Sequence, residues 1–242
     1  LETRTTRREF LKKAGFMGAA ATMGGLAEPL LAGPTKVFAA TMAESTQEII
    51  NLALTAEQLA TTFYYTGVKS SKLTMTNNQD NQPYVRAAIE EEWFHAELLA
   101  SAGAKSVVGN HPKFYFPKGT FDSDAAFIGV LEALETAFIE AYLAAIYQFS
   151  MNGRTDLAQL AGQIMGIEAE HRVMGRVILN KSVPNNLTLE KAPPKGATVA
   201  DVAKALVPFL SQSKTNPDGP FWMPTKAEIK IAVDGGVYNP NA

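Results

Sequence analysis

Two of the three histidines in the chain stand three residues after a glutamate, in Glu92-Trp93-Phe94-His95 and in Glu168-Ala169-Glu170-His171. On a helix, positions i and i+3 share a face, so each run would present a carboxylate and an imidazole side by side. Two further acids, Glu57 and Glu135, sit inside apolar runs, and each is followed seven residues later, two turns on, by a tyrosine: Tyr64 and Tyr142. The chain thus carries an approximate internal repeat, acid and tyrosine followed by E-x-x-H, with 35 residues from Glu57 to Glu92 and 33 from Glu135 to Glu168. Two helical hairpins related by a pseudo-twofold would point all six groups at one place. Four carboxylates in one apolar interior repel, and each isolated buried charge costs several kcal/mol. Two divalent cations bring the sum to zero. Without metal, two or more of these acids would take up protons, driven by desolvation and like charge. Mixed carboxylate and imidazole ligation suits iron or manganese, with zinc left open. The competing reading has Glu57 and Glu135 ending at solvent and the histidines satisfied in the core; six positions in register weigh against it.

The neighbouring acids read differently. Glu90, Glu91 and Glu97 flank the first E-x-x-H as an exposed charged face, unless Glu91 turns inward to support a ligand. Glu132 and Glu140 bracket Glu135, and Glu132, sharing its face, is the substitute ligand to consider; Glu170 should point away from the site. His111 reads as a solvated loop residue. Tyr64 and Tyr142 are core aromatics or hydrogen-bonding partners of a ligand.

Helices must position this set. Beyond Thr41 the apolar residues recur at spacings of three and four, and strand signals are nearly absent. The pattern predicts a first helix from about Ser45 to Val68, a second from Pro83 to Ala102, a third from Ser123 or Asp124 to about Ser150, and a fourth from Asp156 to about Asn180. Gly103 ends the second and Asn152-Gly153 turns the third into the fourth. The link from Ala104 to Asp122 is long, carries Phe114-Tyr115-Phe116 between Pro112 and Pro117, and reads as an ordered crossover. The expected fold class is therefore all-α, an up-down four-helix bundle over residues 45–181 with the long crossover between its second and third helices. Residues 182–242 form an extension with a short helix from Thr198 to Leu210, expected to pack on the bundle or on a second subunit.

The chain has 242 residues, 46% of them hydrophobic, and a formal charge of −2. That suffices for one main core. The absence of cysteine excludes disulfides, thiolate metal sites and cysteine nucleophiles. The near-neutral charge gives no reason to expect nucleic acid. No Walker-type, dinucleotide-binding or serine-hydrolase glycine motif is present.

Residues 1–39 read as an address. Thr6-Arg7-Arg8-Glu9-Phe10-Leu11-Lys12 resembles the twin-arginine signal for export of folded proteins, and Val37-Phe38-Ala39 suits a small-residue cleavage site. The segment is expected to be a cleaved signal, with a retained membrane anchor as the alternative. Its removal takes six basic and three acidic side chains and leaves a net charge of −5. The expected location is periplasmic or extracellular.

The stretches AEQLATTFYYTGV, EEEWFHAELL, FPKGTF with ALETAFIEAYLAAI, and GIEAEHRVM resemble the ferritin-like domain family that includes desiccation-related and other exported proteins. The resemblance covers roughly Ser45 to Lys181. It implies a dimetal site of two iron or manganese ions with Glu57, Glu92, His95, Glu135, Glu168 and His171 as ligands, Glu92 and Glu168 bridging and Glu57 and Glu135 terminal. Two functions follow as expectations. One is redox chemistry on O2, peroxide or Fe(II); having no cysteine-held redox centre, such a protein takes its electrons from a separate donor, from Fe(II) or from peroxide. The other is a non-catalytic structural, stress-protection or assembly subunit, with metal incidental or absent. A homo-oligomer is expected in either case.

Overall fold

The computed structural model describes residues 44–77, 80–181, 188–193 and 197–233. The address segment, with its twin-arginine and cleavage motifs, lies outside them. Among the described residues, no helix is long and apolar enough to cross a membrane.

Four long helices dominate: α1 (Thr46–Lys69), α2 (Gln82–Ser101), α3 (Asp124–Met151) and α4 (Thr155–Ile178). Each begins or ends where the local chemistry dictates. Ser45 and Glu48 form a reciprocal capping box at the start of α1, and Ser123 accepts the Ala126 amide at the start of α3; such caps contribute about 1 kcal/mol each. Pro83 occupies the first turn of α2, where its missing N–H costs nothing. After α2 and between α3 and α4 the chain turns through Gly103 and Gly153 at φ +93° and +72°, a region that favours glycine. Asp124 also accepts the Thr74 and Met75 amides, tying the α1–α2 loop to the start of α3.

α1 packs against α2 and α3 against α4 as two hairpins, and the hairpins meet α1 to α3 and α2 to α4. The apolar core falls into two clusters along the bundle. One holds Leu59, Phe63, Ile89, Phe127, Leu131 and Ile178; the other holds Ile49, Ile50, Leu99, Phe149, Leu157 and Ile164. On α1, α2 and α4 the candidate ligands lie between the two clusters in sequence, and on α3 Glu135 lies between Leu134 and Phe138 of the first; together they form a polar belt at mid-bundle.

The structure departs from the expected all-helical chain at the crossover and in the extension. β1 (Lys113–Phe116) pairs antiparallel with β2 (Asp218–Trp222), joining the crossover to the C-terminal region. Phe114 and Phe116 are fully buried, and Phe116 lies 5.8 Å from Phe209 and 5.6 Å from Phe221, ring centre to ring centre. Phe63 stacks on Phe127 at 4.4 Å beneath them. The helix expected over Thr198–Leu210 splits into α5 (Val199–Ala203) and a 3-10 turn (Lys204–Phe209), because Pro208 has no N–H to continue the ladder. A further helix, α6 (Lys226–Val233), lies against α2 with Ile229 and Ala232 buried. Polar ties also hold the extension. Glu44 accepts the Val199 and Ala200 amides at the start of α5, and the nearly buried Arg172 of α4 pairs with Glu190 at 2.6 Å.

Candidate metal centre

The belt residues converge. His95 Nδ1 lies 3.4 Å from Glu57 Oε2, 3.4 Å from Glu92 Oε2 and 3.6 Å from Glu168 Oε1. His171 Nδ1 lies 3.0 Å from Glu92 Oε1, 3.3 Å from Glu168 Oε2 and 3.8 Å from Glu135 Oε1. Two four-residue groups result: Glu57, Glu92, His95 and Glu168, and Glu92, Glu135, Glu168 and His171, each with one ligand atom per residue and all such atoms within 4.8 Å of one another. Glu92 and Glu168 belong to both, and each turns one oxygen to either group.

All six side chains are buried. Their inward atoms, Glu57 Oε2, both oxygens of Glu92 and of Glu168, Glu135 Oε2, and Nδ1 of both histidines, make no hydrogen bond. Buried polar atoms without partners cost about 1–3 kcal/mol each, more when charged, so a cluster of them facing one another calls for cations. The donor set therefore fits metal. In the metal-free chain, burial first and then the other carboxylates push Glu168 up and Glu135 well above its ordinary value. Burial opposes charge on the histidines, yet the Glu57 and Glu92 carboxylates push His95 up to about 11, and Glu168, Glu91 and Glu92 hold His171 well above its usual range. Protons thus stand in for cations, on the imidazoles as well as on the acids.

The tyrosines cross between hairpins. Tyr64 of α1 donates to Glu135 Oε1 on α3, and Tyr142 of α3 donates to Glu57 Oε1 on α1, so each outer acid has one oxygen that accepts a phenol and one, Oε2, that makes no hydrogen bond. Burial and the adjacent carboxylates keep both phenols well above their ordinary pKa and protonated. Glu91 does turn inward: its Oε2 lies 2.9 Å from His171 Nε2, which orients that ring and leaves Nδ1 facing the belt. The equivalent position on α4 is Ile167, so the two halves differ here. Glu132 pairs with Lys181 and Glu140 with Lys191, so neither joins the site. Glu97, Glu170 and His111 are exposed.

A family model for the ferritin-like domain matches residues 45–181, more than half of the chain. The chain belongs to the ferritin-like domain family. No curated protein and no solved structure matches it. Within this ferritin-like bundle, a cavity of about 440 Å³ opens between α2 and α4 onto His171 and Glu91, with Asp80, Tyr84, Glu170 and Met174 on its walls. Sequence reasoning did not find this mouth. Asp80 and Glu170 are far apart in the chain, and no local spacing marks them as neighbours.

Because the imidazoles hold protons that metal must displace, metal uptake near neutral pH is expected to release protons, and to strengthen as pH rises toward the His95 value of about 11. Calorimetric titration with Mn(II) in two buffers of different ionisation enthalpy measures the number released. Zero protons would contradict the protonated apo site.

Proposed function

We propose that this ferritin-like protein holds a dinuclear iron or manganese centre and carries out redox chemistry on O2, peroxide or Fe(II). The observation that supports it best is the pair of overlapping ligand groups sharing Glu92 and Glu168, whose inward ligand atoms make no hydrogen bond. Bound iron or manganese ions would supply one-electron chemistry and a place for a small oxidant to bind. The protein's own part follows from its residues. The four carboxylates match the charge of two divalent ions. Glu91 fixes the ring of His171, and Tyr64 and Tyr142 hold protons on Oη directed at Glu135 and Glu57. Asp80, Glu91 and Glu170 make the α2–α4 mouth acidic, which favours cations and disfavours anionic substrates. Anaerobic Fe(II) titration followed by rapid mixing with O2 tests the reading. About two Fe(II) per chain, oxidised faster than free Fe(II), is the expected result; binding without accelerated oxidation would reduce the protein to a metal binder.

Export by the twin-arginine route is proposed on the run Thr6 to Lys12. Since that route carries folded proteins, metal could enter before export. Replacing Arg7 and Arg8 with Lys should retain the protein in the cytoplasm; unchanged export would remove the assignment.

A further inference from the structure

The two faces of the bundle are unlike. The α2–α4 face opens through a polar mouth, whereas on the α1–α3 face α5 and the following 3-10 turn roof a small apolar cavity. About 20 Å³ of free space lies there between Ala53 and Ala56 of α1 and Ala141 and Ala145 of α3, under Val199 and Leu206. The space exists because alanines face one another where larger side chains fill the core elsewhere. That is room for one water-sized molecule, but a buried water needs two to four polar partners. The cavity offers only Tyr142, whose hydroxyl is already donated to Glu57. Such an apolar lining favours an apolar guest over water. A second apolar space of about 10 Å³ in the bundle interior shares Ala53, Tyr142 and Ala145 with it. Both therefore abut Tyr142, one hydrogen bond from a candidate ligand, and Ala56 is the chain neighbour of Glu57.

We propose that this alanine-lined cavity is a binding pocket for a small apolar gas, and that it passes dioxygen to the Glu57 side of the site while cations use the acidic mouth on the opposite face. The gas pocket stands on its own geometry; dioxygen as the guest rests on the dimetal reading. The separation has a physical basis: a non-polar diatomic gains from apolar alanine walls and nothing from carboxylates, and a hydrated cation the reverse.

Xenon, an apolar probe, tests the pocket in the metal-free full chain. Crystals pressurised with xenon should show an anomalous peak between Ala53 and Ala145. Ala53→Leu should abolish it, and Leu206→Ala, which enlarges the space from the roof, should strengthen it. Absence of the peak in the parent chain overturns the pocket, as does a Leu206→Ala chain that melts normally and binds no xenon. In Fe(II)-loaded protein, Ala53→Leu should slow the O2-dependent oxidation several-fold with metal content unchanged; an unchanged rate overturns the delivery role. A chain that binds xenon but takes up no metal overturns the dimetal reading and the dioxygen assignment, and supports the gas pocket alone.

Discussion

A Glu92→Ala chain loaded anaerobically with Fe(II) is expected to retain less than half the metal of the parent, which should hold about two ions. The reason is geometric. Glu92 turns Oε2 toward the His95 group and Oε1 toward the His171 group, so one truncation takes a donor from both. Each group falls from four residues to three, and the carboxylate charge of the belt no longer balances two divalent ions. Glu135→Ala is a graded comparison. It strips a donor from the His171 group alone and leaves the Tyr64 hydroxyl without its acceptor, so about one ion should be lost. Glu140→Ala should keep full loading, because Glu140 Oε1 is 2.7 Å from Lys191 Nζ and five residues, about 140°, around α3 from Glu135. Elemental analysis of the three variants decides. Full loading of Glu92→Ala, or loss in Glu140→Ala with retention in Glu135→Ala, would remove the ligand assignment.

Chelation should lower the melting temperature by tens of degrees. Ligand present at a thousandfold its dissociation constant stabilises by about 4 kcal/mol per site, or about 8 kcal/mol for two sites. At about 2–4 °C per kcal/mol for a chain of this size, the gap between Mn(II)-loaded and chelated protein comes to roughly 15–30 °C. Its pH dependence has a definite sign. The raised carboxyls of Glu135 and Glu168 and the raised imidazoles of His95 and His171 all favour the metal-free fold most at low pH. Their contribution fades as pH climbs through the folded-state values. Metal binding strengthens over the same range, so the gap should widen with rising pH and narrow on acidification. Scanning calorimetry with and without chelator at several pH values measures this. A gap of a few degrees that ignores pH would count against a metal at this belt.

The long helices and the six belt residues were legible because their signals are local. E-x-x-H needs only one turn of helix to be meaningful, and the seven-residue spacing from Glu57 to Tyr64 and from Glu135 to Tyr142 survives any error at helix ends. The cross-bonding of the tyrosines was legible only as a choice, since spacing places Tyr64 on the face of Glu57 but cannot say that its hydroxyl reaches Glu135. β1 is four residues between two prolines, and its partner lies about a hundred residues on. Pairing over such a distance leaves no periodicity to read. α6 did carry a signal: Thr225 and Glu228 form a capping box, the pattern that marks α1, ahead of only eight helical residues. Glu91 differs from Glu90 by one position, and only the packing of α2 on α4 decides which of them meets His171.

The pairing of β1 with β2 bears on how this protein can be cut. The family match ends at Lys181, and a fragment drawn to that boundary would leave Lys113–Phe116 as an unpaired edge. Its Phe116 would lose the cover of Phe209 and Phe221, presenting an apolar strand to other chains, a recognised route to aggregation. Starting the fragment at Ser45 would also discard Glu44, the acceptor that holds the first turn of α5. The stretch defined by likeness to relatives is thus shorter than the stretch that folds, and expression trials should keep residues 44–233 together.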